Sequence, residues 1–293
     1  MARPLPVSDP QPWRAVGLAA AALLFLTGFA SKPQRVMSMS QCTDQLVLSL
    51  LPLERISSVS YRAAGGAVSP EVLRKARLAR INHGLAEEVL AQKPDLLLTA
   101  PYTSIETRRL AERAGVRVIE VGAADSFDDI RRITRQVAEA VGEPQRGEVL
   151  LSRMDATLAR LDRTAPSRKL RAIGWNGDGR IPGAHSLFNT ILTAAGGINL
   201  AAGPGDFRAS FDLEQILAIE PRPDLLLYGQ ATVTAPGLQT GMVQHPALAR
   251  AFAHRRIAYP EGVYECGAPQ AADEALALRR QMLDVLGQAG VRP

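Results

Sequence analysis

Two stretches of the chain share one pattern, a short helix followed by a buried strand. Residues 87–98 read EEVLAQKPDLLL, and residues 214–227 read EQILAIEPRPDLLL. In each stretch a Glu opens a predicted helix seven residues before a Pro, and an Asp then begins an uninterrupted apolar run. Such a run is typical of a strand that is buried on both faces, as in a parallel sheet. The second copy has two extra residues, Arg222 and Pro223, so the two registers are close but not identical.

The same alternation of strand and helix extends along the chain on both sides of these stretches. Helical patterns separate the apolar runs, which favours parallel sheets built from βαβ units. Two further helical patterns, at 127–141 and 146–161, lie between the halves. About 20 residues of helix would span roughly 30 Å, enough to bridge two lobes. The sequence therefore predicts an α/β fold of two Rossmann-like lobes with parallel sheets, joined by a single long helix.

The N-terminal residues have the features of an export signal. Arg3 and Arg14 precede an uncharged apolar run over residues 15–29, and Gly28 and Ala30 supply small residues at a cleavage site. A run of about 15 residues would span roughly 22 Å, which is short of a ~30 Å hydrocarbon core. An uncleaved membrane anchor is the alternative. We assign residues 1–30 to a signal peptide, 31–143 to an N-terminal lobe, 144–167 to a linker helix and 168–293 to a C-terminal lobe.

Charge and cysteine content exclude several classes of function. The net charge is +5, but no block of five or more basic residues occurs and no basic stripe is interleaved with aromatic residues, so no nucleic-acid partner is expected. Cys42 and Cys266 are the only cysteines, and an oxidising compartment permits at most one disulfide within the chain. The histidines and cysteines show no metal-ligand spacing, so we expect no dedicated metal site and no cofactor.

Several motifs, taken together in their order, resemble one family of transport proteins. They are the two Glu-x6-Pro elements, the sequence Gly196-Gly197-Ile198-Asn199, and a pattern formed by Pro52, Glu54, Arg55, Ile56, Ser58 and Ser60. These resemble class III periplasmic binding proteins, which serve ABC importers for cobalamin, ferric siderophores and haem. The resemblance covers about residues 35–287. It implies a monomeric, periplasmic, non-enzymatic protein that holds its ligand in a cleft between the lobes and delivers it to a membrane permease with its ATPase.

The resemblance also implies roles for the two acidic helix starts. In that family one Glu on each lobe pairs with Arg residues of the permease, and by motif position these are Glu87 and Glu214. Glu88 is adjacent and is an alternative to Glu87. A carboxylate in the first turn of a helix is favoured by the helix dipole in any protein. Either Glu alone therefore has an ordinary explanation, and only their recurrence in both halves indicates docking.

The expected cleft is formed by strand ends and helix starts, where loop side chains converge. Aromatic faces there suit a large flat ligand. We favour cobalamin or a related corrinoid, because aromatic candidates are present and an Arg-rich pocket for an anionic ligand is not. A ferric siderophore and haem are the alternatives, and Tyr61 or Tyr102 could ligate haem iron. The predicted ligand-binding residues are Ser40, Gln41, Cys42, Tyr61, Arg62, Tyr102, Trp175, Asn176, Asp178, Tyr264, Glu265 and Cys266.

Some of these assignments leave alternatives open. Trp175 and Tyr264 could equally pack within or between the lobes. Cys42 and Cys266 fall on opposite rims of the predicted cleft, where a disulfide would close the cleft; this does not suit a carrier, so we expect buried or incidental thiols. A thiolate near a helix start could also contact a soft metal. A hydrolytic α/β enzyme is disfavoured, because Gly-x-Ser-x-Gly is absent and Ser40 has no evident His partner. A receptor lobe without transport is a third alternative.

Overall fold

The computed structural model describes residues 32–65, 69–177, 179, 181–202, 211–229 and 237–288. The predicted signal peptide and Asp178 lie outside these residues. Within these ranges, no helix combines the length and the apolar character needed to cross a bilayer.

The first lobe contains a five-stranded parallel sheet. Its strands are β1 (Val36–Ser38), β2 (Ile56–Ser60), β3 (Ile81–Asn82), β4 (Leu96–Thr99) and β5 (Arg117–Glu120), in the order β3-β2-β1-β4-β5. The helices that connect them are α1 (Gln41–Leu50), α2 (Pro70–Leu78), α3 (Ala86–Gln92) and α4 (Ile105–Arg113). The three leucines of β4 are completely buried, as expected for a strand covered on both faces.

The second lobe contains a four-stranded parallel sheet. Its strands are β6 (Leu170–Gly174), β7 (Gly197–Asn199), β8 (Leu225–Gly229) and β9 (Arg256–Tyr259), in the order β7-β6-β8-β9. Its helices are α7 (Leu187–Ala194), α8 (Leu213–Ala218), α9 (Leu238–Val243), α10 (Pro246–Phe252), α11 (Glu261–Glu265) and α12 (Ala271–Gln288). The predicted fold class of two parallel-sheet α/β lobes is confirmed.

The repeated sequence pattern corresponds to one repeated topological unit. Helix α3 leads from the edge strand β3 to β4, which lies on the far side of β1. Helix α8 leads in the same way from the edge strand β7 to β8, on the far side of β6. Within the described residues, the second lobe has one βα unit fewer than the first. The two acidic helix starts therefore occupy equivalent places in the two lobes.

Two helices lie between the sheets. Helix α5 (Phe127–Ala140) is capped at its N-terminus by Ser126, whose side chain accepts a hydrogen bond from the N–H of Asp129. Helix α6 (Pro144–Arg163) has 20 residues and begins with a Pro in its first turn, where the missing N–H has no cost. Gly142 separates the helices with a φ of 75°, a left-handed conformation that favours glycine. A rod of about 30 Å results.

The lobes share one continuous apolar core. Buried side chains form a single cluster from Leu98 in the first sheet, through Ile130 of α5 and Leu151 of α6, to Leu225 in the second sheet. Arg279 of α12 is 6% exposed and donates hydrogen bonds to carbonyls at the ends of α6 and α7. Such carbonyls carry partial negative charge, so the guanidinium stabilises both helix ends. A core shared in this way opposes free rotation of one lobe against the other.

Candidate functional site

A cavity of about 600 Å³ lies at the carboxyl ends of the strands of the first sheet. Segments that follow all five strands line it, and three residues of the second lobe, Glu265, Cys266 and Gly267, close it from the opposite side. In open parallel sheets, ligands bind outside the carboxyl ends of the strands. The cavity therefore lies where the sequence places the cleft.

The structure brings most of the predicted ligand-binding residues together around this cavity. Those that line it are Ser40, Gln41, Cys42, Tyr61, Arg62, Tyr102, Glu265 and Cys266. They come from four separate segments of the chain. Among the described residues that line the cavity, Arg62 is the only Arg or Lys. A polyanionic ligand would thus find little compensating charge.

Two tyrosines present accessible rings at the cavity. Tyr61 is 61% exposed and Tyr102 is 75% exposed. The Tyr61 ring stacks on the imidazole of His83, with 5.6 Å between ring centroids and 16° between ring planes. Exposed aromatic rings of this kind can pack against the face of a flat ligand, and the phenol and imidazole can also reach a metal centre.

Sequence reasoning missed His83 as a cavity residue. The imidazole lines the cavity because His83 follows β3, a strand of two residues that has no periodic signal. The sequence pattern Ile81-Asn82-His83-Gly84 would have identified His83 only if the short strand had been recognised.

The candidates from the start of the second lobe lie elsewhere. Trp175 is 1% exposed, and its indole N–H donates to the carbonyl of Phe211 at 3.0 Å. The Asn176 side chain accepts hydrogen bonds from the N–H of Gly229 and from the hydroxyl of Tyr259. Neither residue is among those that line the cavity. For Trp175, the structure corresponds to the packing alternative.

Tyr264 also belongs to the interior of the second lobe. Its side chain is 6% exposed and packs against Tyr259, with 4.4 Å between ring centroids, and against Phe188. Burial raises the pKa of Tyr264 above its usual range, since the phenolate would lose its hydration. This ring contributes to packing, although the next two residues in the chain reach the cavity.

Cys42 and Cys266 form a disulfide, so the expectation of unpaired thiols is wrong. The Sγ atoms are 2.16 Å apart and the Cα atoms 4.7 Å apart. Cys42 lies in the first turn of α1, and Cys266 directly follows α11, so the bond joins the two lobes at the cavity wall. The two cysteines are 224 positions apart in the sequence with no signal for pairing, and only the fold brings them into contact.

The two acidic residues of the repeat occupy the same position in their helices. Helix α3 follows the N-cap Leu85 and helix α8 follows the N-cap Asp212, so Glu87 and Glu214 are each the second residue of a helix. Both carboxylates are exposed, and within the described part of the chain neither has an ion-pair partner. The two-residue insertion follows α8 and leaves this equivalence intact.

Glu88 has a different role from Glu87. Its carboxylate accepts hydrogen bonds from the N–H groups of His83, at 2.8 Å, and Leu85, at 3.0 Å. Burial opposes ionisation, but these hydrogen bonds outweigh it and lower the pKa of Glu88. In α8 the equivalent residue, Gln215, accepts from the N–H of Asp212. The third position therefore caps each helix, which leaves the second position, Glu87 or Glu214, available for a partner.

Among the described residues, no group of three or more His, Cys, Asp or Glu side chains is placed to hold a metal ion.

Comparison with known proteins agrees with this architecture. A family model described as periplasmic binding protein matches residues 42–259. The periplasmic heme-binding protein RhuT from Roseiflexus sp. RS-1, in apo form, superimposes with a TM-score of 0.72 at 23% identity, over 86% of this chain and 98% of that chain. The periplasmic vitamin B12 binding protein BtuF of Vibrio cholerae gives 0.63 at 15% identity, over 87% and 98%. At such identities the likeness shows the fold alone.

A curated relative is similar over part of its length. The cobalamin-binding protein of Halobacterium salinarum is 22% identical over 204 residues, which make up 68% of this chain and 54% of the relative. The chain therefore matches about half the length of that protein.

Proposed function

Because the chain belongs to the periplasmic binding protein family, we propose that it captures a corrinoid of the cobalamin type and delivers it to the permease of an ABC importer. One observation carries the choice of ligand class. The cavity between the lobes exposes two tyrosine rings and contains, among its described residues, a single Arg or Lys. Such a lining suits a large, flat ligand with little net negative charge. The similarity to a cobalamin-binding protein supports this choice.

Haem is the second candidate ligand. The phenols of Tyr61 and Tyr102 and the imidazole of His83 lie on the same cavity. Tyrosine and histidine both serve as axial ligands of haem iron in proteins. The fold is also similar to that of a heme-binding protein. A ferric siderophore is less well supported, because an anionic chelate would meet only one full positive charge, that of Arg62, among the described residues that line the cavity.

Delivery requires a contact with the permease, and Glu87 and Glu214 are proposed to supply it. Their equivalent helix positions place one exposed carboxylate on each lobe. We further propose that the protein works as a monomer in the periplasm after cleavage behind Ala30. N-terminal sequencing of the protein recovered from a periplasmic fraction tests the cleavage site; an intact Met1 would contradict it. The proposed role involves no catalytic step.

The ligand is tested by titration of the purified mature protein with cyanocobalamin, haemin and a ferric hydroxamate siderophore. Calorimetry gives the affinity, and visible absorbance reports on the metal. We expect saturable binding of cyanocobalamin, weakened roughly five- to a hundredfold by Tyr61→Ala combined with Tyr102→Ala, since stacking of one aromatic pair contributes about 0.5–1.5 kcal/mol. Val149→Ala, at an exposed position of α6, is the control and should bind as the wild type does.

The alternatives give different results in the same experiment. Binding of haemin with a shift of its visible bands, lost on Tyr61→Phe or Tyr102→Phe, would replace cobalamin by haem as the ligand. Binding of the siderophore alone would overturn the tetrapyrrole proposal altogether.

A further inference from the structure

A buried carboxyl group lies directly beneath the cavity. Asp44 is in the first turn of α1, between the cavity-lining residues Cys42 and Leu46, and its side chain is fully buried. Its carboxylate accepts the N–H of Ser60 at 3.1 Å and the hydroxyl of Ser60 at 2.5 Å. Both hydrogen-bond donors of Ser60 are thus held by the carboxylate of Asp44.

Ser60 connects this carboxylate to the cavity. It is the last residue of β2 and lines the cavity itself. Its side-chain oxygen accepts a hydrogen bond from the N–H of Arg62 at 3.3 Å. The N–H of Tyr61 donates to the carbonyl of Asn82 at 2.9 Å. The backbone that carries Tyr61 and Arg62 into the cavity is therefore fixed at Ser60 by Asp44.

The geometry requires an acid at this position. Each oxygen of Asp44 faces a donor from Ser60, with Oδ1 and Oδ2 at 3.1 and 3.2 Å from the N–H nitrogen and Oδ2 also bonded to the hydroxyl. An Asn whose oxygen accepts the N–H of Ser60 would turn its NH₂ toward the hydroxyl, so that hydrogen bond would reverse and the hydroxyl proton would lose its acceptor. An unsatisfied buried donor costs more than the bond itself contributes.

The groups that act on the Asp44 carboxyl among the described residues are neutral. They are the hydroxyls of Ser38 and Ser60 and the N–H of Ser60. Burial raises the pKa of Asp44 to about 7, because these hydrogen bonds only partly offset the loss of hydration.

Charged groups on the neighbouring elements are directed elsewhere. Helix α1 packs against β1, β2, α2 and α5. The two strands carry no charged residue, Lys75 of α2 donates to the carbonyls of Leu48 and Leu51, and α5 turns Ile130 and Ile133 toward the core. On the cavity side the charged or titratable residues are Tyr61, Arg62, His83, Tyr102 and Glu265.

We infer that Asp44 is a positioning residue for the ligand cavity, which holds Ser60 and thereby sets the backbone from which Tyr61 and Arg62 reach the ligand. The inference rests on the proposed function only in that these two side chains contact the ligand. A protonated carboxyl presents an O–H where the carboxylate accepted the Ser60 hydroxyl, so this hydrogen bond must reverse or break, and the oxygen that accepts the N–H of Arg62 is reoriented. Ligand affinity accordingly falls as the pH is lowered through neutrality.

The test compares Asp44→Asn with Ser57→Ala. The second variant is a matched control, because Ser57 lies in β2 like Ser60 and its substitution removes a side-chain hydrogen bond to Gln92. Amide hydrogen exchange of the segment that contains residues 60–63 measures how firmly its backbone is held in the ligand-free protein. We expect Asp44→Asn to speed this exchange at least about tenfold, and Ser57→Ala to leave it unchanged. With cyanocobalamin as the probe, Asp44→Asn should bind about tenfold more weakly, and its affinity should no longer depend on pH between 6 and 8.

His83 is the imidazole that lines the same cavity, and His83→Gln separates its contribution from that of Asp44. This variant should keep the pH dependence of affinity, whatever its effect on the affinity itself. Loss of the dependence in His83→Gln, or equal exchange rates in Asp44→Asn and Ser57→Ala, would overturn the inference.

Two further outcomes are distinguishable. If the wild type binds neither cyanocobalamin nor haemin, the proposed ligand class is wrong, and the exchange experiment alone decides the role of Asp44. If Asp44→Asn does not fold, Ser60→Ala replaces it, because it removes the hydroxyl link to Arg62 but keeps the N–H bond to Asp44. Unchanged exchange at residues 61–63 in Ser60→Ala would then count against the inference.

Discussion

Cys42 of the first lobe is covalently bonded to Cys266 of the second lobe, at the wall of the cavity that both lobes form. The next residue, Gly267, lies so close to Ala124 of the first lobe that a Cβ atom at Gly267 would overlap the Cβ of Ala124. A covalent bond and a close backbone approach thus hold the lobes together at adjacent positions. Together with the shared core, they fix the width of the cavity.

Loss of the disulfide should destabilise the protein. Removal of a native disulfide typically costs about 2–5 kcal/mol, which for a protein of this size corresponds to a fall in Tm of roughly 5–15 °C. We expect this shift for Cys42→Ser combined with Cys266→Ser, and for the wild type in the presence of a reductant. Calorimetry with and without reductant measures it. The double variant should not respond to reductant, and an unchanged Tm in the reduced wild type would contradict the prediction.

Gly267→Ala should force the lobes apart at the cavity. The added methyl group meets Ala124 and approaches Ile130, and overpacking of this kind costs about 1–3 kcal/mol. Gly122→Ala is the control, because Gly122 also lines the cavity but a Cβ there meets nothing within 4 Å. Chemical denaturation measures both variants. Ala124→Gly should restore the stability of Gly267→Ala, and failure of this rescue would show that the strain arises elsewhere.

Docking through the equivalent helix positions predicts a separation of binding from uptake. Glu87→Ala combined with Glu214→Ala should bind ligand as the wild type does, because neither side chain lines the cavity. Uptake of labelled ligand should be lost in cells that carry this variant in place of the wild type. Glu112→Ala, at an exposed position of α4, should support normal uptake. Undiminished uptake with the double variant would reject the docking role.

Glu88→Ala should behave differently from Glu87→Ala. It removes the acceptor for the N–H groups of His83 and Leu85, so it should lower stability by about 1 kcal/mol, as expected for the loss of a helix cap. The equivalent substitution at Glu87 should leave stability within about 0.5 kcal/mol of the wild type. Denaturant midpoints distinguish the two, and equal effects would show that the cap is not specific to Glu88.

Glu274 of α12 predicts a dependence of stability on pH. Burial raises its pKa to about 7, and the nearby Tyr264 hydroxyl opposes only part of that rise. Because the folded-state pKa lies above the unfolded value of 4.5, the folded protein binds the proton more tightly. The contribution to stability is therefore full below about pH 4.5 and is lost as the pH rises through about 7.

Glu274→Gln should remove this dependence. At about 1.4 kcal/mol per pKa unit, the variant gains up to about 3 kcal/mol relative to the wild type between pH 4.5 and pH 8. Asp44 contributes the same pH dependence of stability to the wild type and to the variant, so the difference in stability between them isolates the contribution of Glu274. Denaturation at a series of pH values measures it, with the exposed Asp284→Asn of the same helix as the control. A constant difference across this range would contradict the assignment.

The sequence predicted the elements that leave a strong local signal. The Asp-Leu-Leu-Leu runs marked β4 and β8, and the apolar stripe of residues 127–141 marked α5. Strands β3 and β7 were not predicted, because they contain two and three residues and expose Ile81 and Ile198. Such short edge strands show neither alternation nor a continuous buried run.

The candidate site was predictable where it depends on topology. Side chains that follow parallel strands converge at one sheet edge, which identified Tyr61, Arg62 and Tyr102 without coordinates. Composition cannot distinguish an aromatic residue that lines a cavity from one that packs in the core, so for Trp175 and Tyr264 both ligand binding and packing remained open. The disulfide was beyond sequence reasoning, since a contact across 224 residues depends on the packing of both lobes.

The shared core has a consequence for how an importer distinguishes a loaded carrier from an empty one. If the lobes keep their spacing, the two carboxylates proposed for docking, those of Glu87 and Glu214, keep theirs, and the distance between them cannot report whether the cavity is occupied. We expect occupancy to be signalled instead by side chains at the mouth of the cavity, above all Tyr61 and Tyr102. The importer would then distinguish the loaded from the empty protein by the positions of side chains at the mouth of the cavity rather than by the protein's overall shape.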